Sequence, residues 1–358
     1  MLNCALRGGM AGRDGIRKRL TAGWLRASRI QVLTVAPYRP PVGRRPALTL
    51  SPPHFDIDRR IDPLPRLEPR LGTPMKPAPF QYHAPRTVAD AVATLARLGP
   101  DAKVLAGGQS LVPVMAFRLA RPAHLIDING IDELDYVRSE GGWLRIGART
   151  RHAAFHTAVE PGPLGALLAT VVQSIAHLPI RIRGTFCGSL AHADASSEWC
   201  AVAATLDAQI VLASARGQRT LQAADYFKGF LITDRTDDEL LVEVRLPLLA
   251  ADTRCGFEEF SRRAGDYALG LGLAVVRFDG SKVVQARIGV GGAEPFPRRI
   301  AEAEAVLVGQ PLDKAACLRA SEAAAQAVDP MSDTQADPEY RRDLVRAMVR
   351  RALEKCLA

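Results

Sequence analysis

The chain has 358 residues, with 47 Lys and Arg against 38 Asp and Glu, a formal charge of +9 and a pI near 9.5. The excess is confined to residues 1–74, which hold 14 basic and 5 acidic side chains; residues 75–358 hold 33 of each, so no basic surface for nucleic acid is written across those 284 residues. With 47% apolar and 24% charged residues the composition is that of a globular protein, and no uncharged apolar run of about 18 residues exists to form a membrane span.

Residues 1–74 carry 10 of the 25 prolines and basic runs such as Arg17-Lys18-Arg19, without a sustained period of 2 or 3.6. They read as a disordered Arg/Pro-rich extension. Folded-looking sequence starts at Met75, which we expect to be the native initiator. The six cysteines are far apart, with no C-x-x-C pair and no local Cys/His cluster, so neither an iron–sulfur nor a structural zinc site is expected. Scattered thiols and the lack of a signal-peptide apolar stretch after Met1 point to a reducing, cytoplasmic setting.

From Met75 onward, Thr87 and Asp90 have capping-box spacing ahead of Val88, Ala91, Val92, Leu95 and Leu98, which predicts a helix over 87–98. A short strand at 103–106, a Gly-Gly turn, a helix over 111–119 and a strand at 124–128 complete a small α/β unit. A hairpin of 134–138 with 143–146 opens a second, more antiparallel unit. It continues with a helix over 164–176, a Gly-punctuated loop at 181–190, a helix at 198–206 and strands at 209–212 and 239–246. Three antiparallel strands at 256–262, 272–278 and 282–290 precede helices at 300–307, 314–327 and 338–356. The last of these places Leu344, Met348, Ala352 and Cys356 on one face. The domains read as 75–250, with subdomains of about 75–130 and 131–250, and 251–358.

Two segments stand out chemically. Ala106-Gly107-Gly108-Gln109-Ser110 sets two residues without Cβ between a strand and a helix start, where successive N–H groups can face an anion. Such a turn is also ordinary connection geometry. It is neither a Walker loop, since no Gly-Lys-Ser/Thr follows, nor a dinucleotide fingerprint, since a third glycine and a suitably placed acid are lacking. The segment from Gly184 through Ser189 again offers hydroxyls and glycine, with Arg181 and Arg183 upstream, and two phosphate-competent loops suggest one diphosphate ligand. His192, Asp194 and Ser196 follow, either as site residues or as turn and cap residues of the next helix. They do not make a metal site, and no Gly-x-Ser-x-Gly elbow favours a hydrolase.

These motifs, with 118–128, 183–194, 225–230, 238–247, 260–266, 286–292 and 339–342, resemble the FAD-binding medium subunit of molybdenum hydroxylases, the family of the aerobic carbon monoxide dehydrogenase and xanthine dehydrogenase flavoproteins. The resemblance spans Met75 to the end. It implies an α+β fold: two α/β subdomains cradling FAD, as in vanillyl-alcohol oxidase, then a three-stranded antiparallel sheet with a three-helix bundle. It further implies that Val104, Leu105, Ala106, Gly107, Gly108, Gln109, Ser110 and Leu111, with Thr185, Phe186, Cys187, Gly188 and Ser189, wrap the diphosphate of non-covalent FAD. Glu198, where the family usually has Asp, would bind ribityl or ribose hydroxyls, and Ile175 and Leu241 would flank the cofactor. Catalytic residues of its own are not expected.

Two departures accompany the likeness. Cys187 replaces the first glycine of a Gly-Gly pair, so its side chain is expected to crowd the diphosphate or to need a glycine backbone angle; a reactive thiol beside the flavin is the other reading. Glu258 and Glu259 replace a basic residue and would place negative charge at the flavin edge if either points inward. The resemblance implies an electron-transfer subunit of a heterotrimer, served by a large molybdopterin subunit and a small subunit with [2Fe-2S] clusters, with NAD, a quinone or dioxygen as acceptor. The alternatives are a stand-alone FAD oxidoreductase, which needs its own base and often a flavin-linked histidine (His124, His177 or His192), or an assembly subunit that has lost flavin through Cys187. A nucleic-acid role rests on residues 1–74 alone.

Overall fold

The computed structural model describes residues 76–357. The expectations for residues 1–74 and for Met75 lie outside the described residues. Strand β1 (Gln81–His83) leads into helix α1 (Val88–Leu98), β2 (Ala102–Leu105), α2 (Leu111–Ala116) and β3 (His124–Asp127). β3 lies between β1 and β2 and is parallel to both, with Leu125 opposite Tyr82 and Ile126 opposite Val104. Thr87 starts α1 as the sequence predicts, its Oγ1 accepting from the Asp90 N–H at 3.1 Å. The far half of a capping box is rearranged: Asp90 accepts from the Thr87 hydroxyl, and the Val88 N–H goes to Glu133. Ala91, Val92 and Leu95 form the buried stripe of α1.

The second unit begins with the hairpin of β4 (Val137–Glu140) and β5 (Trp143–Gly147), turned by Gly141 and Gly142, both at positive φ. Its first strand starts later than predicted because residues 132–134 form a single 3-10 turn. Helices α3 (Pro163–Val171), α4 (Leu178–Arg183), α5 (Phe186–His192) and α6 (Glu198–Thr205) follow, then β6 (Gln209–Ser214), β7 (Gly217–Gln222), the one-turn α7 (Ala223–Tyr226), the small ribbon β8 (Phe227–Gly229) and β9 (Ile232–Thr233), and β10 (Leu240–Pro247). The sheet order is β4-β5-β10-β6-β7, antiparallel throughout. The loop expected at 181–190 is instead the end of α4, one glycine, and α5. Thr185 caps α5 by accepting from the Gly188 N–H at 3.1 Å, which lets two glycine-flanked turns become helical.

The third part is the sheet β11 (Thr253–Phe260), β12 (Gly270–Asp279), β13 (Lys282–Gly291) and β14 (Arg298–Arg299), in that order, followed by α8 (Ala301–Leu307), α9 (Lys314–Ala327) and α10 (Pro338–Glu354). The two-residue β14 extends the three expected strands to four. Alternation along β12 divides the interior. Leu271, Leu273 and Val275 join the core beneath the first two units, whereas Ala274 and Val276 face the helices α8–α10.

Candidate functional site

The parallel strand β2 delivers the chain to Gly107 and Gly108 at its C-terminal end, the edge at which open α/β units bind ligands. A Cβ on Gly107 would lie 2.4 Å from the Arg183 carbonyl oxygen and 2.6 Å from Gly184 Cα, and Gly108 has φ +73. The first turn therefore rests on the second through bare backbone. Two residues that the sequence reading passed over hold them together. Asn129, just past β3, donates to the Ala106 carbonyl at 2.8 Å and accepts from Arg151 Nη2 at 2.5 Å, while Arg151 Nη1 donates to the Arg183 carbonyl.

The two turns bound a cavity of about 350 Å³. Val104, residues 106–111, Thr185, residues 187–189 and Leu241 line it; Leu105, Ile175, Phe186 and Glu198 do not. Ile175 and Phe186 are buried core residues, the latter stacked near Trp199 with ring centroids 4.8 Å apart. Among the described residues, no protein acceptor takes the backbone N–H of Gly107, Gly108, Gln109 or Ser110. On the second turn the capped start of α5 consumes the Gly188 and Ser189 N–H groups through Thr185, and the Phe186 N–H goes to Thr150, which leaves the Thr185 and Cys187 N–H groups and the Ser189 hydroxyl. Thus the first turn presents most of the donors.

Lys103 and Arg235 add positive charge to the lining. The one carboxylate in it, Glu239, is held by Arg219 at 2.6 and 2.9 Å and by the Thr236 N–H at 2.8 Å. Burial works against its ionisation, but these hydrogen bonds outweigh that and leave the carboxyl below its ordinary range.

Cys187 lies on α5 with a helical backbone, so the glycine angle allowed for in the sequence is not required. Its Sγ reaches the Ile146 carbonyl of β5 at 3.6 Å, and burial pushes the thiol pKa far up, which disfavours the reactive thiolate. Asp194 accepts from the Ser196 N–H at 2.9 Å in a local turn, and Ser197, not Ser196, caps α6. Of the three histidines considered for a flavin link, His192 lines the cavity; His124 pairs with His83 at 3.1 Å on the first sheet, and His177 precedes α4.

The two glutamates of β11 point to opposite faces. Glu258 pairs with Lys355 at 2.6 Å, while Glu259 turns inward with a buried, unpartnered Oε2. Burial, then the charge of Glu259, pushes Glu198 up to about 8; burial, then Glu258, pushes Glu259 up to about 7.

Free N–H groups on a glycine turn, two serine hydroxyls and a cationic rim fit the phosphates of a dinucleotide, and the apolar Val104, Leu111 and Leu241 fit its uncharged parts. The fold and cavity thus define a dinucleotide-binding protein built from two α/β units. A protein-family profile described as FAD binding domain in molybdopterin dehydrogenase matches residues 78–249, and one described as CO dehydrogenase flavoprotein C-terminal domain matches residues 256–356. The chain is 39% identical over 284 residues to the 6-hydroxypseudooxynicotine dehydrogenase complex subunit alpha of Paenarthrobacter nicotinovorans, covering 79% of this chain and 96% of that protein. It is 37% identical over 284 residues to the carbon monoxide dehydrogenase medium chain of Hydrogenophaga pseudoflava, covering 79% and 99%. A solved structure of carbon monoxide dehydrogenase from that organism superposes with a TM-score of 0.75 at 38% identity, covering 78% of this chain and 98% of that one. The chain belongs to the FAD-binding flavoprotein family of the carbon monoxide and xanthine dehydrogenase type, a family of oxidoreductases whose cofactor is FAD. Among the described residues, no helix is long and apolar enough to cross a membrane.

Proposed function

We propose that this chain is the FAD-carrying electron-transfer subunit of a heterotrimeric molybdenum hydroxylase. The observation that carries the reading is the joining of the two-turn cavity to the four-stranded sheet and helices α8–α10 in one chain that matches medium-chain relatives over 96–99% of their length. FAD, when bound, supplies the exchange of electrons between the [2Fe-2S] clusters of a small partner subunit and an external acceptor. The protein's own part is binding and orientation. The N–H groups of residues 107–110, Cys187 N–H and the Ser110 and Ser189 hydroxyls bind the diphosphate, Arg151 and Asn129 fix the spacing of the two turns, and Val104, Leu111 and Leu241 exclude water beside the cofactor. Glu198 and Glu259 stand outside that cavity wall and take no part in holding the diphosphate.

Co-expression of the full chain with its neighbouring genes tests this. The expected product is a yellow complex with one FAD released per chain on denaturation and two partner chains, one carrying molybdopterin and one iron–sulfur clusters. A colourless chain that stays monomeric with both partners present would overturn the proposal.

A further inference from the structure

A histidine absent from every motif stands in the cavity wall. His152 directly follows Arg151 and is 5% exposed. Its Nδ1 accepts from Trp199 Nε1 at 2.9 Å. An indole N–H can only donate, so Nδ1 must present its lone pair and the proton of the neutral ring resides on Nε2. The tautomer follows from the partner's chemistry.

The ring is also held still and held neutral. Trp199 is fully buried between Phe155 and Phe186, with centroids at 5.2 and 4.8 Å, so the lock cannot swing away. Burial, with the charges of Arg151 and Arg181 nearby, pushes the imidazole down to about 4. The Nε2 edge passes Gly184, where a Cβ would stand 2.5 Å from that nitrogen, and both residues line the same cavity as Gly107, Ser110 and Ser189. Among the described residues Nε2 has no protein partner. The ring is buried but its Nε2–H is not sealed off, so a donor of fixed tautomer without a protein acceptor is left for a ligand oxygen to engage.

We infer that His152 is a cofactor-binding residue whose Nε2–H donates to a phosphate oxygen of the FAD held between the two turns. The inference rests on the FAD-holding role of the cavity and adds a neutral ring donor to its backbone N–H groups, serine hydroxyls and cationic rim. Gly184 is required beside it, because any larger residue there would cover Nε2.

The test uses the full-length chain stripped of flavin, titrated separately with FAD and with ADP, which carries the diphosphate without the flavin. His152→Phe is expected to weaken both ligands by about 10- to 100-fold, the range for losing a hydrogen bond to a charged group. His152→Gln, whose amide nitrogen falls near Nε2, is expected to restore affinity to within about fivefold of the unmodified chain. Because His152→Phe strands the Trp199 N–H, the pair is repeated in a Trp199→Phe background, where the cage is wholly apolar and Phe is still expected to bind worse than Gln. Equal affinities of folded Phe and unmodified chains would overturn the inference, as would equal losses in Phe and Gln variants, which mark a packing role. Loss of FAD affinity with ADP unaffected would overturn the phosphate assignment. An unmodified chain that binds no FAD would instead overturn the reading of the cavity itself.

Discussion

Residue 107 has no room for a side chain, because the place of its Cβ is taken by the Arg183 carbonyl and Gly184 Cα. Both obstacles are backbone, and neither can rotate away. Gly107→Ala is therefore expected to lever the two turns apart, costing about 1–3 kcal/mol of stability and about tenfold or more in FAD affinity, read by urea unfolding and by flavin titration of the stripped chain. Cys187 behaves oppositely. Its backbone is helical and its thiol is packed against β5, so Cys187→Gly removes a buried side chain and gains no needed freedom. The expected result is a loss of about 1–2 kcal/mol with FAD affinity within about threefold. Binding that tightened tenfold would show that the thiol does crowd the diphosphate.

Among the elements, α10 depends on glycines in the sheet it covers. A Cβ on Gly256 of β11 would lie 1.9 Å from the Ala352 carbonyl, and one on Gly272 of β12 would lie 2.7 Å from Met348 C and Val349 N. The helix lies directly on bare strand. Gly256→Val is expected to lift α10 and destabilise the chain by about 3 kcal/mol or more, whereas Gly280→Ala, at a turn with φ +58 and open space around it, should cost about 1 kcal/mol; urea midpoints distinguish the two. The apolar face of α10 was legible from its period, but the docking seam was not, since glycine in a strand reads as a turn signal until the helix above it is seen. A similar limit applied at α5, where glycine and hydroxyl residues suggested a loop and the Thr185 cap made a helix. The edge strand β7 was missed because its exposed, polar residues carry little alternation. In the site, both glycine turns were legible because each is contiguous in sequence. Asn129, Arg151 and His152 were not, because their partners lie 22 to 47 residues away and only the fold brings them together.

At the scale of the whole molecule, the junction between the cofactor-side units and the C-terminal sheet carries an electrostatic load. Glu198 on α6 and Glu259 on β11 meet there, with Asp194 adding to the negative field and only the more distant Glu258 neutralised by Lys355. In the unfolded chain Glu198 loses its proton near 4.5, but in the folded chain it keeps it up to about 8. Between those values the native state binds more protons than the unfolded one, so stability falls as pH rises, starting near 4.5 and levelling off above about 8. Glu259 contributes in the same direction up to about 7. Glu198→Gln removes the charge and keeps the shape. In the flavin-stripped chain, its stability relative to the unmodified protein is expected to be close to equal near pH 4.5 and to rise to an advantage on the order of a few kcal/mol at pH 8. Urea unfolding from pH 5 to 8.5 measures this directly. Parallel curves for the two proteins would mean that the Glu198 carboxyl is ionised at no cost in the folded chain, and the junction would then have to hold a compensating cation beside it.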